Sequence, residues 1–345
     1  MARHAAQETA RQARAGADSG AQGGAPAPAD GEVGAPAGAQ SVGACRHGAG
    51  AAPALAEYPN GPVQFVVPWP PGDFEDILTR MIAEDFQEQT GQSASVVNRP
   101  GGGDGPFPGA LEVLNGPTDG SVVGSFVIGV PIVGPLIDIG IDENSFTPVG
   151  IFLTYPFVLA ASGDAGYSNM AELAAYAKDN DVVLGHFGAG LTPTKASYAA
   201  AKLMDFEFAD DSAFDMLDCN TLSSGDADVI NTTLALIEPC LGEINILANI
   251  GAEPIDKLNG VKTLAAQSGV NDIELWNGLF VKTGTPQEVI DKLAEIASAT
   301  MASDAAKELM VATGARVYWQ GMDESAARIE SDRAKSADLD KIIGN

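Results

Sequence analysis

Short apolar, β-branched runs alternate along this chain with longer stretches whose apolar residues recur every third or fourth position. The runs fall at Val63–Val67, Ser95–Asn98, Val122–Val127, Val149–Ala160, Val182–His186, Val229–Asn231, Ile244–Ile250 and Leu275–Val281, and each predicts a strand. The longer stretches predict helices over Asp73–Thr90, Met170–Lys178, Thr194–Met204, Pro286–Thr300, Ala305–Thr313 and Glu324–Ala337. In the first of these, Phe74, Ile77, Leu78, Met81, Ile82 and Phe86 share one face. Ser303 and Asp323 are expected helix caps, and Pro286 opens a helix after Thr285. This alternation predicts an α/β fold with parallel sheets and right-handed crossovers. No stretch approaches the roughly 18 consecutive apolar residues of a membrane span. Whatever crosses a membrane with this protein is therefore expected to be another polypeptide.

The richest segment is Val63–Gly105. An apolar run ends at Pro68, Trp69-Pro70-Pro71-Gly72 forms a rigid turn, Asp73 opens a helix, and a second strand runs through Asn98-Arg99-Pro100 into Gly101-Gly102-Gly103-Asp104-Gly105. Such loops lie at the carboxyl ends of parallel strands, where open α/β sheets place ligands. Further along come Asp119-Gly120, a small-residue loop at Gly185-His186-Phe187-Gly188-Ala189-Gly190, Ser224-Gly225-Asp226-Ala227-Asp228-Val229, Trp276-Asn277-Gly278-Leu279-Phe280 and Thr283-Gly284-Thr285-Pro286. In this order and spacing, from Tyr58 to about Asp340, the chain resembles the Bug-type periplasmic solute receptors of tripartite tricarboxylate transporters.

The resemblance implies a two-lobed periplasmic binding protein, type II-like, each lobe a mainly parallel sheet flanked by helices. Lobe 1 would comprise 58–160 plus 276–345, and lobe 2 would comprise 161–275. The chain would cross twice, around Phe152–Ala160 and Trp276–Val281. The expected function is non-enzymatic capture of a small organic acid or related metabolite between the lobes, followed by delivery to membrane transporter subunits. A monomer is expected, with no cofactor. Carried over residue by residue, the ligand shell would include Trp69, Pro70, Pro71, Gly72 and Asp73 from the first lobe. His186, Phe187, Gly188, Ala189, Thr192 and Thr194 would face them, with Val130, Pro131, Asn231, Thr232 and Thr233 completing the shell.

At one point the chain departs from these receptors. Where they carry Gly-Ser-Thr-Asp, it has Asp73-Phe74-Glu75-Asp76. A carboxylate at position 73 opposes an anionic ligand unless it turns away to cap the helix. Otherwise the ligand carries an amino or other cationic group, or no charge.

Charge and composition narrow the alternatives. A formal net charge of −27 over 345 residues repels phosphate backbones, which argues against nucleic-acid partners. The same acidic balance suits a salty medium, where screening suppresses self-repulsion. Of three histidines, His4 and His47 lie in the Ala/Gly/Pro-rich leader, leaving His186 alone in the body. A Ser-His-Asp triad or multi-histidine metal site is therefore not expected. His186 is either at the cleft or a packed, hydrogen-bonded residue. Asp73 and Glu75 are the candidates for a rival reading, a carboxylate-dependent enzyme on the same scaffold. A third reading makes the chain a ligand sensor for a membrane signalling partner. Asp226 and Asp228, and likewise Asp210 and Asp211, read as loop charges or caps.

Residues 1–57 cannot bury a core. Ala54-Leu55-Ala56 has the residues of a signal-peptidase site, with Glu57 as the mature start, and Val42-Gly43-Ala44-Cys45 those of a lipoprotein box. Neither follows an apolar stretch, so a misplaced start codon or an upstream frame error is expected. Cys219 and Cys240 are the remaining cysteines. In an exported domain they suggest a disulfide, the alternative being two buried thiols.

Overall fold

The strands assemble into two mixed sheets, and the chain passes from one to the other and back. The computed structural model describes residues 58–101 and 105–344. The expectations for the leader, for Cys45 and for Gly102, Gly103 and Asp104 fall outside the described residues.

The first sheet contains β1 (Val63–Val67), β2 (Ala94–Asn98), β3 (Val122–Val127), β4 (Phe146–Thr154), β10 (Trp276–Lys282) and β11 (Arg316–Gln320), in the order β11-β4-β10-β3-β1-β2. The second contains β5 (Phe157–Ser162), β6 (Val183–His186), β7 (Asp210–Ala213), β8 (Val229–Thr233) and β9 (Ile244–Asn249), in the order β7-β6-β8-β5-β9. β1, second from the sheet's edge, is nearly continuous in apolar residues and buries side chains on both faces. It pairs in parallel with β2 and β3, setting Val66 beside Val97 and Phe65 beside Val123.

The sheets are less parallel than expected. β10 runs antiparallel to both β3 and β4, and β5 runs antiparallel to both β8 and β9. A strand that leaves one sheet for the other and a strand that returns must point in opposite directions. Periodicity along the chain carries no sign of that.

The single strand expected over Val149–Ala160 is two strands in different sheets, separated by Tyr155-Pro156. Pro156 has no N–H to continue a ladder. Its carbonyl instead accepts from Leu234 N at 3.0 Å, and Tyr155 N donates to Leu275 O at 2.8 Å. The outgoing and returning crossings therefore lie side by side at Tyr155 and Leu275. Strands β7 and β11 were not legible as strands. β7 reads Asp-Asp-Ser-Ala and lies at a sheet edge, where charge discourages further pairing.

Four helices matter for the site: α1 (Phe74–Thr90), α2 (Thr192–Leu203), α3 (Gln287–Met301) and α4 (Met322–Ile343). Asp73 caps α1, accepting from Phe74 N at 2.8 Å, and Gly91 ends it in the left-handed region. The buried face of α1 takes Phe74, Leu78, Ile82 and Phe86 as expected, but also Glu75, Asp76 and Thr79, whereas Ile77 is exposed. Ser303 caps its helix, accepting from Ala306 N at 3.2 Å. Asp323 is not a cap: Gly321 holds that position for α4, and Asp323 lies in the first turn, where the helix dipole favours an acid. Helix α4 carries the chain's last stretch across to α2, and Asp340 on α4 meets the largely buried Lys195 on α2 at 2.7 Å.

Candidate ligand cleft

The turn after β1 supplies one wall of a cleft between the sheets. Pro70 and Pro71 stiffen the turn, and Gly72 adopts φ +114°, a conformation that disfavours any side chain. The Gly72 amide donates to Asp76 Oδ2 at 3.1 Å. That carboxylate also takes Arg80 Nη2 and Asn98 Nδ2 on Oδ1, at 2.8 and 2.9 Å. Burial would raise the Asp76 carboxyl, but the bonds from Arg80, Asn98 and the Gly72 amide outweigh it and hold it below its ordinary range. Asp76 thus fixes the turn and leaves Trp69, Pro70 and Asp73 on the cleft.

The opposite wall comes from the segment after β6 and the start of α2: Phe187, Leu191, Thr192 and Pro193. Trp69 meets Phe187 edge to face at 5.4 Å, Phe187 meets Phe157 at 6.0 Å, and Phe157 meets Tyr155 at 6.0 Å. Thr233, at the end of β8, donates to the Asp73 carboxylate at 3.1 Å. Aromatic contact and hydrogen bond both join the first-sheet side to the second. The cavity left between them is about 60 Å³, far below the few hundred Å³ of typical small-ligand sites.

Capping and a place at the cleft were alternatives for Asp73 in the sequence. The structure combines them, since the cap residue itself lines the cavity. Burial pushes its carboxyl up to about 6, against the bonds from Phe74 N and Thr233, with the nearby Asp76 charge adding to the rise. Glu75 also lines the cavity and is 2% exposed. Burial first, and then the Asp73 charge, raise its carboxyl well above the ordinary range. Its Oε2 finds no hydrogen-bond partner among the described residues. The Tyr155 phenol interacts with the Glu75 carboxyl and donates its hydrogen to Asn277 Oδ1 at 3.2 Å.

Of the sequence-derived residues, Trp69, Pro70, Asp73, Phe187, Thr192 and Thr233 are brought together at the cavity. Pro71 and Gly72 form the exposed tip of the turn, and Ala189 is exposed beside the half-buried Gly188. Asn231 is buried and donates to Ser197 Oγ at 3.2 Å, while Thr232 donates to Leu217 O at 2.6 Å. Thr194 is buried behind Thr192, its hydroxyl without a partner among the described residues. The loop after β3 does reach the cavity, but through Val127, Ile128 and Gly129; Val130 is buried elsewhere and Pro131 accepts from Arg333.

His186 takes the packed alternative. It is 1% exposed, its Nδ1 accepts from Gly188 N at 3.0 Å and its Nε2 lies 2.8 Å from Asp211. With Nδ1 an acceptor, Nε2 carries the proton that meets Asp211. Sequence reasoning missed Tyr155, Phe157, Leu191, Asp215, Met216, Leu236 and Leu275 on the lining, and placed Glu75 only in the enzyme reading. Tyr155 and Leu275 had a signal, since they bracket the expected crossings. Cys219 and Cys240 form a disulfide with Cα atoms 6.0 Å apart, so the alternative of two thiols falls. Among the described residues, no three His, Cys, Asp or Glu side chains gather as metal ligands.

The comparisons with known proteins agree with this architecture. The family described as "Tripartite tricarboxylate transporter family receptor" matches residues 78–344. A UPF0065 protein in the tcbD-tcbE intergenic region of Pseudomonas sp. (strain P51) is 28% identical over 275 residues, covering 74% of this chain and 78% of that protein. Rpa4515 of R. palustris, solved with adipate, is similar in fold at a TM-score of 0.74 and 23% identity, over 83% of this chain and 98% of that one. MatC (Rpa3494) of Rhodopseudomonas palustris, solved with malate, gives 0.71 and 20%, over 83% of this chain and all (100%) of that one. A match across most of the sequence, on two sheets joined by paired crossings, means that this chain belongs to the tripartite tricarboxylate transporter receptor family.

Proposed function

We propose that the protein is an extracytoplasmic, periplasmic solute receptor that encloses a small organic acid between its two sheets and passes it unchanged to a membrane transporter. It acts as a monomer, and each sheet with its helices serves as one lobe of the grip. The carrying observation is that one narrow cavity is walled by residues from both sheets, with Trp69 against Phe187 and Asp73 against Thr233. Ligand contacts made to both walls at once favour the closed arrangement over an open one. Because the cavity is about 60 Å³ as it stands, those two contacts part to admit a ligand, with the bend at Tyr155-Pro156 and Leu275 as hinge. The adipate-bound and malate-bound relatives support a carboxylate as part of the cargo.

The test is a thermal-shift screen of carboxylates, amino acids and neutral metabolites on the purified protein. A ligand present at about a hundred times its Kd stabilises the folded state by about 2.7 kcal/mol, a shift readily seen. At least one carboxylic compound is expected to give it and to be recovered intact after long incubation. Conversion of the compound would favour acid–base chemistry on the Asp73–Glu75 pair, whose carboxyls burial has raised. Absence of any shift with carboxylic compounds would remove the receptor reading.

A further inference from the structure

Two residues that line the same small cavity each bury a polar atom without a partner among the described residues, and their chemistry is opposite. On the first-sheet side is Glu75 Oε2, and on the second-sheet side is the hydroxyl of Thr192, the first residue of the twelve-residue helix α2. Thr192 is 0% exposed and Glu75 2%, so water does not satisfy either freely. Charge on the lining is equally one-sided. Asp73, Glu75 and Asp215 contribute three carboxyls, and among the described residues the lining includes no lysine, arginine or histidine. A di- or tricarboxylate placed here meets the Asp73 and Glu75 carboxyls with no lysine, arginine or histidine of the described lining to offset them. A single carboxylate at Thr192 meets a hydroxyl donor and the positive end of a helix. A protonated amine at Glu75 and Asp73 meets the acceptors that lack a cation. The wall between these ends is apolar, with Trp69, Phe157, Phe187 and Leu191.

We infer that the cleft takes a compact apolar amino acid, its ammonium on the Glu75–Asp73 pair and its carboxylate on the Thr192 hydroxyl and first turn of α2. This rests on the receptor reading above and specifies its cargo. Several groups set the pH behaviour: Asp73, Glu75, Asp215 and Tyr155 line the cavity, and Asp76 lies beside Asp73 but is bound to Arg80. Alone, the enclosed pair holds protons that a solvent-exposed pair would lose. An arriving ammonium displaces them to solvent, so affinity rises with pH between about 5 and 8. In the rival arrangement the protonated pair donates its hydrogen to a ligand carboxylate, and affinity falls over the same range.

The experiment is calorimetric titration of the full chain with valine, leucine and phenylalanine, each beside its deaminated acid and its decarboxylated amine, with malate and adipate as further probes. At least one amino acid is expected to bind about tenfold or more tighter than its deaminated acid, and tighter at higher pH. Glu75→Gln, near in shape, is expected to narrow that gap by about tenfold, and Asp73→Asn to narrow it as well. Thermal melts of both variants establish that they fold. A deaminated acid that binds as well as its amino acid, a falling affinity with pH, or an unchanged gap in both variants would overturn the inference. If malate or adipate binds and no amino acid does, the inference fails and the receptor reading stands. An amine binding as tightly as its amino acid removes the Thr192 end, and failure of every carboxylic probe removes both readings.

Discussion

The substitution Tyr155→Phe isolates the buried polar chain on which the cleft floor rests. The Tyr155 hydroxyl donates to Asn277 Oδ1 at 3.2 Å and interacts with the Glu75 carboxyl. Asn277 Nδ2 donates onward to Ser125 Oγ at 2.8 Å, and the Ser125 and Thr79 hydroxyls lie 2.8 Å apart. All five side chains are buried. Phenylalanine keeps the ring and its edge contact with Phe157, and removes only the oxygen. Asn277 Oδ1 then loses its donor and Glu75 a neighbouring hydroxyl, and a buried polar atom left unpaired costs about 1–3 kcal/mol. Position 155 borders the cavity, where a water molecule can substitute in part, so a loss of about 2 kcal/mol is expected. In a folded body of this size that lowers Tm by roughly 3 °C, read by circular dichroism. Glu75→Gln and the double variant complete a cycle, with an expected coupling of about 0.5–3 kcal/mol between the two sites. An unchanged Tm for Tyr155→Phe, or strict additivity in the cycle, would refute a hydrogen-bonded chain linking the crossing to the cleft.

Two further outcomes follow from the same structure. In the unfolded chain both cleft carboxyls ionise near pH 4, whereas the folded protein holds Asp73 protonated up to about 6, and burial holds Glu75 well above its ordinary range. Between those limits the unfolded state sheds protons that the folded state keeps, so these groups make stability fall as pH rises from about 4 through 6 and beyond. Asp73→Asn with Glu75→Gln is therefore expected to show a smaller decline in Tm over that range than the wild type, and an equal decline would contradict the raised carboxyls. Cys219→Ala with Cys240→Ala opens a loop whose ends are 21 residues apart in sequence, a loss of about 3 kcal/mol on the chain-entropy account. Urea unfolding measures it, and a loss well under 1 kcal/mol would mean that native packing holds the segment without the bond.

Local chemistry decided which features could be read from the sequence. The first strand, its Pro-Pro-Gly turn and helix α1 were legible because a β-branched run, fixed φ angles and an apolar stripe each act over a few residues. Strand β7 was not, because an edge strand of Asp-Asp-Ser-Ala has no apolar side to bury. The strand reading over Val149–Ala160 ran through Tyr155-Pro156 because apolar character continues across the change of sheet, and only the long-range partners Leu234 and Leu275 show the break. For the same reason Tyr155 was missed at the cleft. Thr192, Thr233, Trp69 and Phe187 were placed through family resemblance, which carries three-dimensional information that periodicity lacks.

Glu75 shows where hydrophobic patterning misleads. The stripe on α1 was read through Phe74, Ile77, Leu78, Met81, Ile82 and Phe86, and a reading of apolar residues alone says nothing of a glutamate among them. The helix is turned so that Glu75, Asp76 and Thr79 go inward with Phe74 and Leu78, and Ile77 is left outside. A helix buries acids in place of an available isoleucine only when other contacts favour that orientation. Here Asp76 gains Arg80, Asn98 and the Gly72 amide, Thr79 gains Ser125, and Asp73 gains Thr233 across the cleft. Glu75 has the Tyr155 phenol near it and, among the described residues, no partner on Oε2. The three satisfied polar residues hold the helix at the angle that buries the fourth at the cavity wall. Glu75 is thus the member of the set whose burial local bonding does not offset, and on the amino-acid reading proposed above a ligand ammonium is the partner that completes it.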